Sequence, residues 1–244
     1  MRWRVVLVTN LWPFLLGAAP LQDLSGDLDG DGKPEKITVQ TSAEPKPSCS
    51  VTVGAVRYSA EDRWGDGCTG EIIDVDSGDP MKELVLIFSS GTDFGTELYL
   101  RYDGKKWSVL GEYSGTFSGA REVPGAGFVL HNSWAGFFAK KVKLVLAKGQ
   151  LRELVPELYA VEVTAKVKSS FPIQVGRSNA EPLAKLKVGS EIRVLAYDPS
   201  PKCKASEDQA FEPCDLFLVR SASGLLGWAR FDQLQAGVEL PWAG

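Results

Sequence analysis

The chain has 244 residues, 44% hydrophobic and 24% charged, which describes one or two globular domains and excludes a disordered protein. A formal net charge of −4, a pI near 5.2 and no basic stripe that would track phosphates argue against a nucleic-acid partner. Abundant valine and aromatic residues, 25 glycines and little helical periodicity predict an all-β fold.

Met1-Arg2-Trp3-Arg4 is a short basic lead, followed by a mostly apolar run over residues 5–16 and then Gly17-Ala18-Ala19. That is the layout of a secretory signal peptide over residues 1–19, with an uncleaved N-terminal anchor as the alternative. The run is shorter than the roughly 20 apolar residues of a membrane span, so no span is expected in the mature chain. Either reading places the rest outside the cytoplasm, in the periplasm or the medium. Four cysteines, an even number, fit such an oxidising compartment. Their proximity in sequence favours two local disulfides, Cys49–Cys68 and Cys203–Cys214, among the three possible connectivities.

The stretch Gly26-Asp27-Leu28-Asp29-Gly30-Asp31-Gly32-Lys33-Pro34-Glu35 puts three aspartates at alternate positions of a tight loop. Carboxylates so close repel one another, and they suit a hard cation with oxygen ligands, above all calcium. An EF-hand needs its bidentate Glu where Thr38 stands, and a strand rather than a helix follows, so the loop is not an EF-hand. Downstream, Asp74-Val75-Asp76-Ser77-Gly78-Asp79-Pro80-Met81-Lys82-Glu83 repeats the order with one extra residue, again before an apolar run. Asp27 and Asp74 stand 47 residues apart, and a period of this size signals stacked β units. Strands are expected at 37–41 and 51–58 after the first loop. After the second they are expected at 84–88, 97–102 and 106–110, the last two joined through Asp103-Gly104. A third unit begins near Gly127, with a hairpin turning at Lys148-Gly149, and Glu122 is the only acid in its approach.

These loops resemble the calcium loops of FG-GAP or VCBS-type repeats, the units of integrin-like β-propellers, over about residues 24–155. The resemblance implies side-chain ligands from Asp27, Asp29, Asp31 and Glu35, with the carbonyl of Lys33. In the second loop it implies Asp74, Asp76, Asp79 and Glu83. Two units and a degenerate third are too few for the usual roughly four to eight blades. The expected domain runs over residues 24–158.

The last third breaks into short strands separated by Gly and Pro. Leu186-Lys187-Val188-Gly189, Val194-Leu195, Leu218-Val219 and Gly227-Trp228, in that order, resemble the bacterial Src-homology-3-like domain over residues 165–236. That implies a small β-barrel, placed at 165–238; residues 199–213 depart from the family's pattern as an insertion that Cys203 and Cys214 would close into a loop. Members of that family bind cell-wall peptide or protein partners, and Tyr197, Phe211 and Phe231 are the aromatics that can line a groove. Phe217 and Trp228 are expected to fill the barrel. No catalytic set is found. His131 is the only histidine, it sits on a predicted strand, and no G-x-S-x-G elbow occurs. The expectation is an exported, non-enzymatic envelope protein with a structural calcium ion; the alternative is a secreted wall hydrolase or its inhibitor.

Overall fold

The structure, a computed structural model, describes residues 21–42, 48–61, 67–89, 94–117, 121–200 and 211–242. Residues 1–19, where a signal peptide is expected, and Cys203 lie outside the described residues. The described chain is nearly all β, with one seven-residue helix.

Strands β1 (Leu21–Gly26), β2 (Glu35–Ser42), β3 (Ser48–Val53) and β4 (Val56–Glu61) form an antiparallel meander. A second meander follows from β5 (Gly67–Ile73), β6 (Glu83–Ser89), β7 (Phe94–Tyr102) and β8 (Trp107–Thr116). The third has three strands, β9 (Phe128–Ala135), β10 (Phe138–Ala147) and β11 (Gln150–Glu153). Residues 51–58, read from the sequence as one strand, are two, because Gly54-Ala55 turns the chain between β3 and β4. Each acidic loop joins the first strand of a sheet to its second.

The sheets stack in layers. Ile37, Val39 and Val51 of the first sheet pack against Leu84, Leu86, Leu98 and Leu100 of the second. From the other face of the second sheet, Val85 and Tyr99 pack against Val129, Val142 and Leu144 of the third. A sheet covered on both sides reads as a continuous apolar run, which is why residues 84–88 show no alternation. Each such buried aliphatic side chain contributes about 1.5–3 kcal/mol. The Cys49–Cys68 disulfide joins β3 to β5 and so ties the first layer to the second.

The remaining strands form one seven-stranded antiparallel sheet. They are β12 (Tyr159–Val167), β13 (Pro172–Gln174), β14 (Pro182–Lys185), β15 (Glu191–Asp198), β16 (Leu216–Ser221), β17 (Leu226–Arg230) and β18 (Val238–Glu239), with α1 (Phe231–Gly237) before β18. The order is β14-β13-β17-β16-β15-β12-β18, and the sheet is open rather than the closed barrel expected from the sequence. Its two edge strands are short, four residues in β14 and two in β18, and inside the sheet β13 meets β17 at the single pair Gln174–Trp228. β12 carries a bulge, where the register shifts between Ala160 and Val163 and Glu162 adopts φ +55°.

The core of this second body contains two residues from the first. Phe137 and Phe138, at the turn between β9 and β10, are buried among Phe211, Phe217 and Tyr197.

Candidate metal centre

Backbone amides shape the first loop around its carboxylates. Gly30 and Gly32 donate to the two oxygens of Asp27 at 2.9 and 3.0 Å. Asp31 donates to Asp29 at 3.1 Å, and Lys33 to Asp31 at 2.8 Å. Glu35, at the start of β2, accepts from Leu28 at 2.7 Å and closes the loop. One carboxylate oxygen from each of Asp27, Asp29, Asp31 and Glu35 lies within 4.8 Å of the others. Oxygens about 2.3–2.6 Å from a calcium ion stand at most roughly 5 Å apart, so this all-oxygen donor set fits that cation in size and in chemistry. Lys33 is exposed, with its ammonium 3.6 Å from Asp31.

The neighbouring layer presses on the loop. A Cβ on Gly30 would stand 2.8 Å from Pro80 of the second loop, and one on Gly104 would stand 2.7 Å from Asp29 Oδ2. Both glycines have positive φ, near 80°, so each supplies a turn and a close approach that no other residue does as readily. Tyr102 is buried beside the loop. Burial, followed by the negative charges of Glu35, Asp29 and Asp103, pushes its phenol above the ordinary tyrosine range.

The second loop has the same frame, with an arginine against its glutamate. Val75 donates to Glu83 at 3.0 Å, as Leu28 does to Glu35. Glu83 is fully buried, and Arg101, directly opposite it on β7, donates both Nε and a terminal nitrogen to it. The same guanidinium lies 3.3 Å from Asp79. Burial nevertheless pushes the Glu83 carboxyl above its ordinary value, outweighing the hydrogen bonds and charge of Arg101. Among the described residues, Asp27, Asp29, Asp31 and Glu35 are the only acidic group close enough to share a metal ion. Asp74, Asp76, Asp79 and Glu83 are not brought together in that way, because the arginine stands between two of them. In the first sheet, Ile37 pairs with Val53, so Glu35 falls beside the turn at Gly54-Ala55, where no arginine stands. Arg101 was missed in the sequence because only the β6–β7 register reveals what it faces.

A common hydrogen bond orders the loops. The Lys82 amide donates to the Leu28 carbonyl at 3.2 Å, and the Gly127 amide donates to the Val75 carbonyl at 2.8 Å. Leu28 and Val75 hold equivalent positions and both are fully buried.

The histidine belongs to a buried polar chain between the second and third layers. Tyr99 donates to Glu97 at 2.6 Å, so the 2.8 Å contact between Tyr99 and His131 Nε2 makes that nitrogen the donor. Arg121 donates to the other oxygen of Glu97 at 2.7 Å, and Tyr113 stacks on the imidazole at 4.6 Å. Burial first, and then the Arg121 charge, hold the His131 pKa down to about 4.

The proposed ligand aromatics of the last third are not on the surface. Tyr197, Phe211 and Phe231 are buried, because they pack with Phe137 and Phe217 into one aromatic core. Phe217 fills that core as expected, whereas Trp228 does not. Trp228 pairs with Leu218 on the opposite face, half-buried beneath Arg177. Cys214 is disulfide-bonded, and the expected pairing with Cys203 falls outside the described residues.

No protein-family model, curated protein or solved structure matches this chain. Its function must therefore be argued from its own residues. Among those described, no helix is long and apolar enough to cross a membrane.

Proposed function

We propose that this is an exported, non-enzymatic envelope protein in which a calcium ion stabilises a layered β domain of FG-GAP or VCBS type. The convergence of Asp27, Asp29, Asp31 and Glu35 carries the reading. Asp29, Asp31 and Glu35 each give only one oxygen to a loop amide, and so each keeps an oxygen for a cation. Bound there, calcium would neutralise the carboxylates and hold the start of β2. The leader and the Cys49–Cys68 disulfide support export. The seven-stranded body, which resembles the bacterial Src-homology-3-like domain in its motifs, would be the module for cell-wall peptide or an envelope protein.

A ligand that binds only the folded state raises its melting temperature by mass action. The melting temperature should rise in millimolar calcium relative to chelator, and Asp29→Ala should abolish most of that rise. Identical midpoints for the native protein in both conditions would sink the ion site. Incubation with peptidoglycan tests the binding module. Cosedimentation without released fragments is expected, while soluble fragments would point to a hydrolase instead.

A further inference from the structure

The two outer faces of the layered domain differ in chemistry. On the first sheet the outward side chains include Thr38, Gln40, Thr52, Arg57 and Ser59, a face rich in hydroxyls. On the third sheet the outward positions of β9 and β10 pair as Phe128–Val145, Leu130–Lys143 and Asn132–Lys141. Arg152 of β11 stands opposite Val145, and Leu154 continues the strand by donating its amide to the Lys143 carbonyl. Phe128, Leu130 and Val145 are partly buried, and Leu154 and Val155 are 56% and 59% exposed. The Lys143 ammonium lies 3.9 Å above the Phe128 ring, while Lys141 and Arg152 are exposed.

Charge is concentrated in the same place. Residues 138–155 carry Lys140, Lys141, Lys143, Lys148 and Arg152 against the single acid Glu153, within a chain whose net charge is −4. Lys140 and Glu153 lie on the other face of the sheet, against Tyr159. That leaves Lys141, Lys143 and Arg152 around the apolar row, with Lys148 at the hairpin tip and Glu122 across from Leu130 at the far edge.

We propose that this face is a peripheral docking surface for an anionic lipid membrane. Charge complementarity selects an anionic occupant and argues against a second copy, whose equivalent face would bring like charges together. Size then favours lipid over a protein. Three strands spaced roughly 4.8 Å apart offer a few hundred Å², well below the roughly 800 Å² that each partner gives to a stable protein interface. A leaflet asks for less: each basic side chain near its anionic surface strengthens binding about fivefold. Leu154 and Val155 add an apolar edge able to enter the headgroup layer.

The test is sedimentation of the full chain with vesicles in chelator, which keeps any calcium bridge out of the measurement. The protein should sediment with vesicles containing phosphatidylglycerol and phosphatidylcholine, remain in solution with phosphatidylcholine alone, and be released by salt. K141Q/R152Q should weaken binding about 25-fold, at about fivefold per cation, and L154S should weaken it with no change of charge. Unchanged melting curves would show that these exposed substitutions leave the fold intact. Failure to bind anionic vesicles at low salt, or equal binding by K141Q/R152Q, would overturn the proposal. So would equal affinity for soluble polyglutamate, which would assign the face to acidic polypeptide.

Discussion

Glu83 has no solvent contact, and a buried carboxylate must either keep a cation beside it or take up a proton. Arg101 supplies that cation, so the second loop should not depend on calcium. Arg101→Gln strands the carboxylate and should cost about 3–5 kcal/mol in urea unfolding. Adding Glu83→Gln should recover part of that loss, since the two changes act on one interaction. His131 poses the opposite problem, a base kept neutral by its surroundings. Its pKa is held at about 4 against an ordinary value near 6.5, so between these values the unfolded chain binds the proton and the folded chain does not. The stabilisation is complete above pH 6.5 and is lost as pH falls through 4, to a total of about 3 kcal/mol. His131→Gln, which can still meet Tyr99, should flatten the pH dependence of stability by most of that amount. An unchanged slope in the variant would place the acid sensitivity in the carboxylates.

At the level of elements, the two acidic loops and the strands after them were legible because local chemistry dictates them. Alternating aspartates and glycines make a tight loop wherever they occur, and an apolar run such as residues 84–88 announces a covered strand. What stayed hidden depended on partners distant in sequence. β1 and β5 carry weak patterns, since Gln22 spends its side chain on both backbone groups of Gly70 across the layers. The burial of Phe211 could not be read locally because its neighbours Phe137 and Phe138 come from another sheet. The Cys49–Cys68 pair, by contrast, follows from proximity in sequence. It joins separate layers across 19 residues, so replacing both cysteines by serine should cost about 3 kcal/mol through the freed unfolded chain. Thermal unfolding of the double variant checks this, and a loss well under 1 kcal/mol would mean that packing alone holds the two layers.

For the whole molecule, the Phe137-Phe138 turn makes the two bodies depend on each other. Its rings lie in the core of the seven-stranded sheet, while the strands on either side belong to the third layer. One calorimetric transition is therefore expected for the native chain. Phe137→Ala should remove about 3–5 kcal/mol and split the transition in two as the bodies lose their shared core. A single sharp transition at an unchanged temperature would show that the turn is not the joint.

The hydrogen bond from one sheet's loop to the next is made by the backbone carbonyls of Leu28 and Val75, not by the carboxylates that would hold an ion. The span between that residue and its glutamate is seven residues in one copy and eight in the other, yet the bond survives in both. A bond made by the backbone leaves the side chains of each loop free to differ without moving the layers. The first loop presents an open set of carboxylates, and the second closes its glutamate with Arg101. The approach to the third sheet carries a single acid, Glu122, and that sheet still takes its place through the carbonyl of Val75.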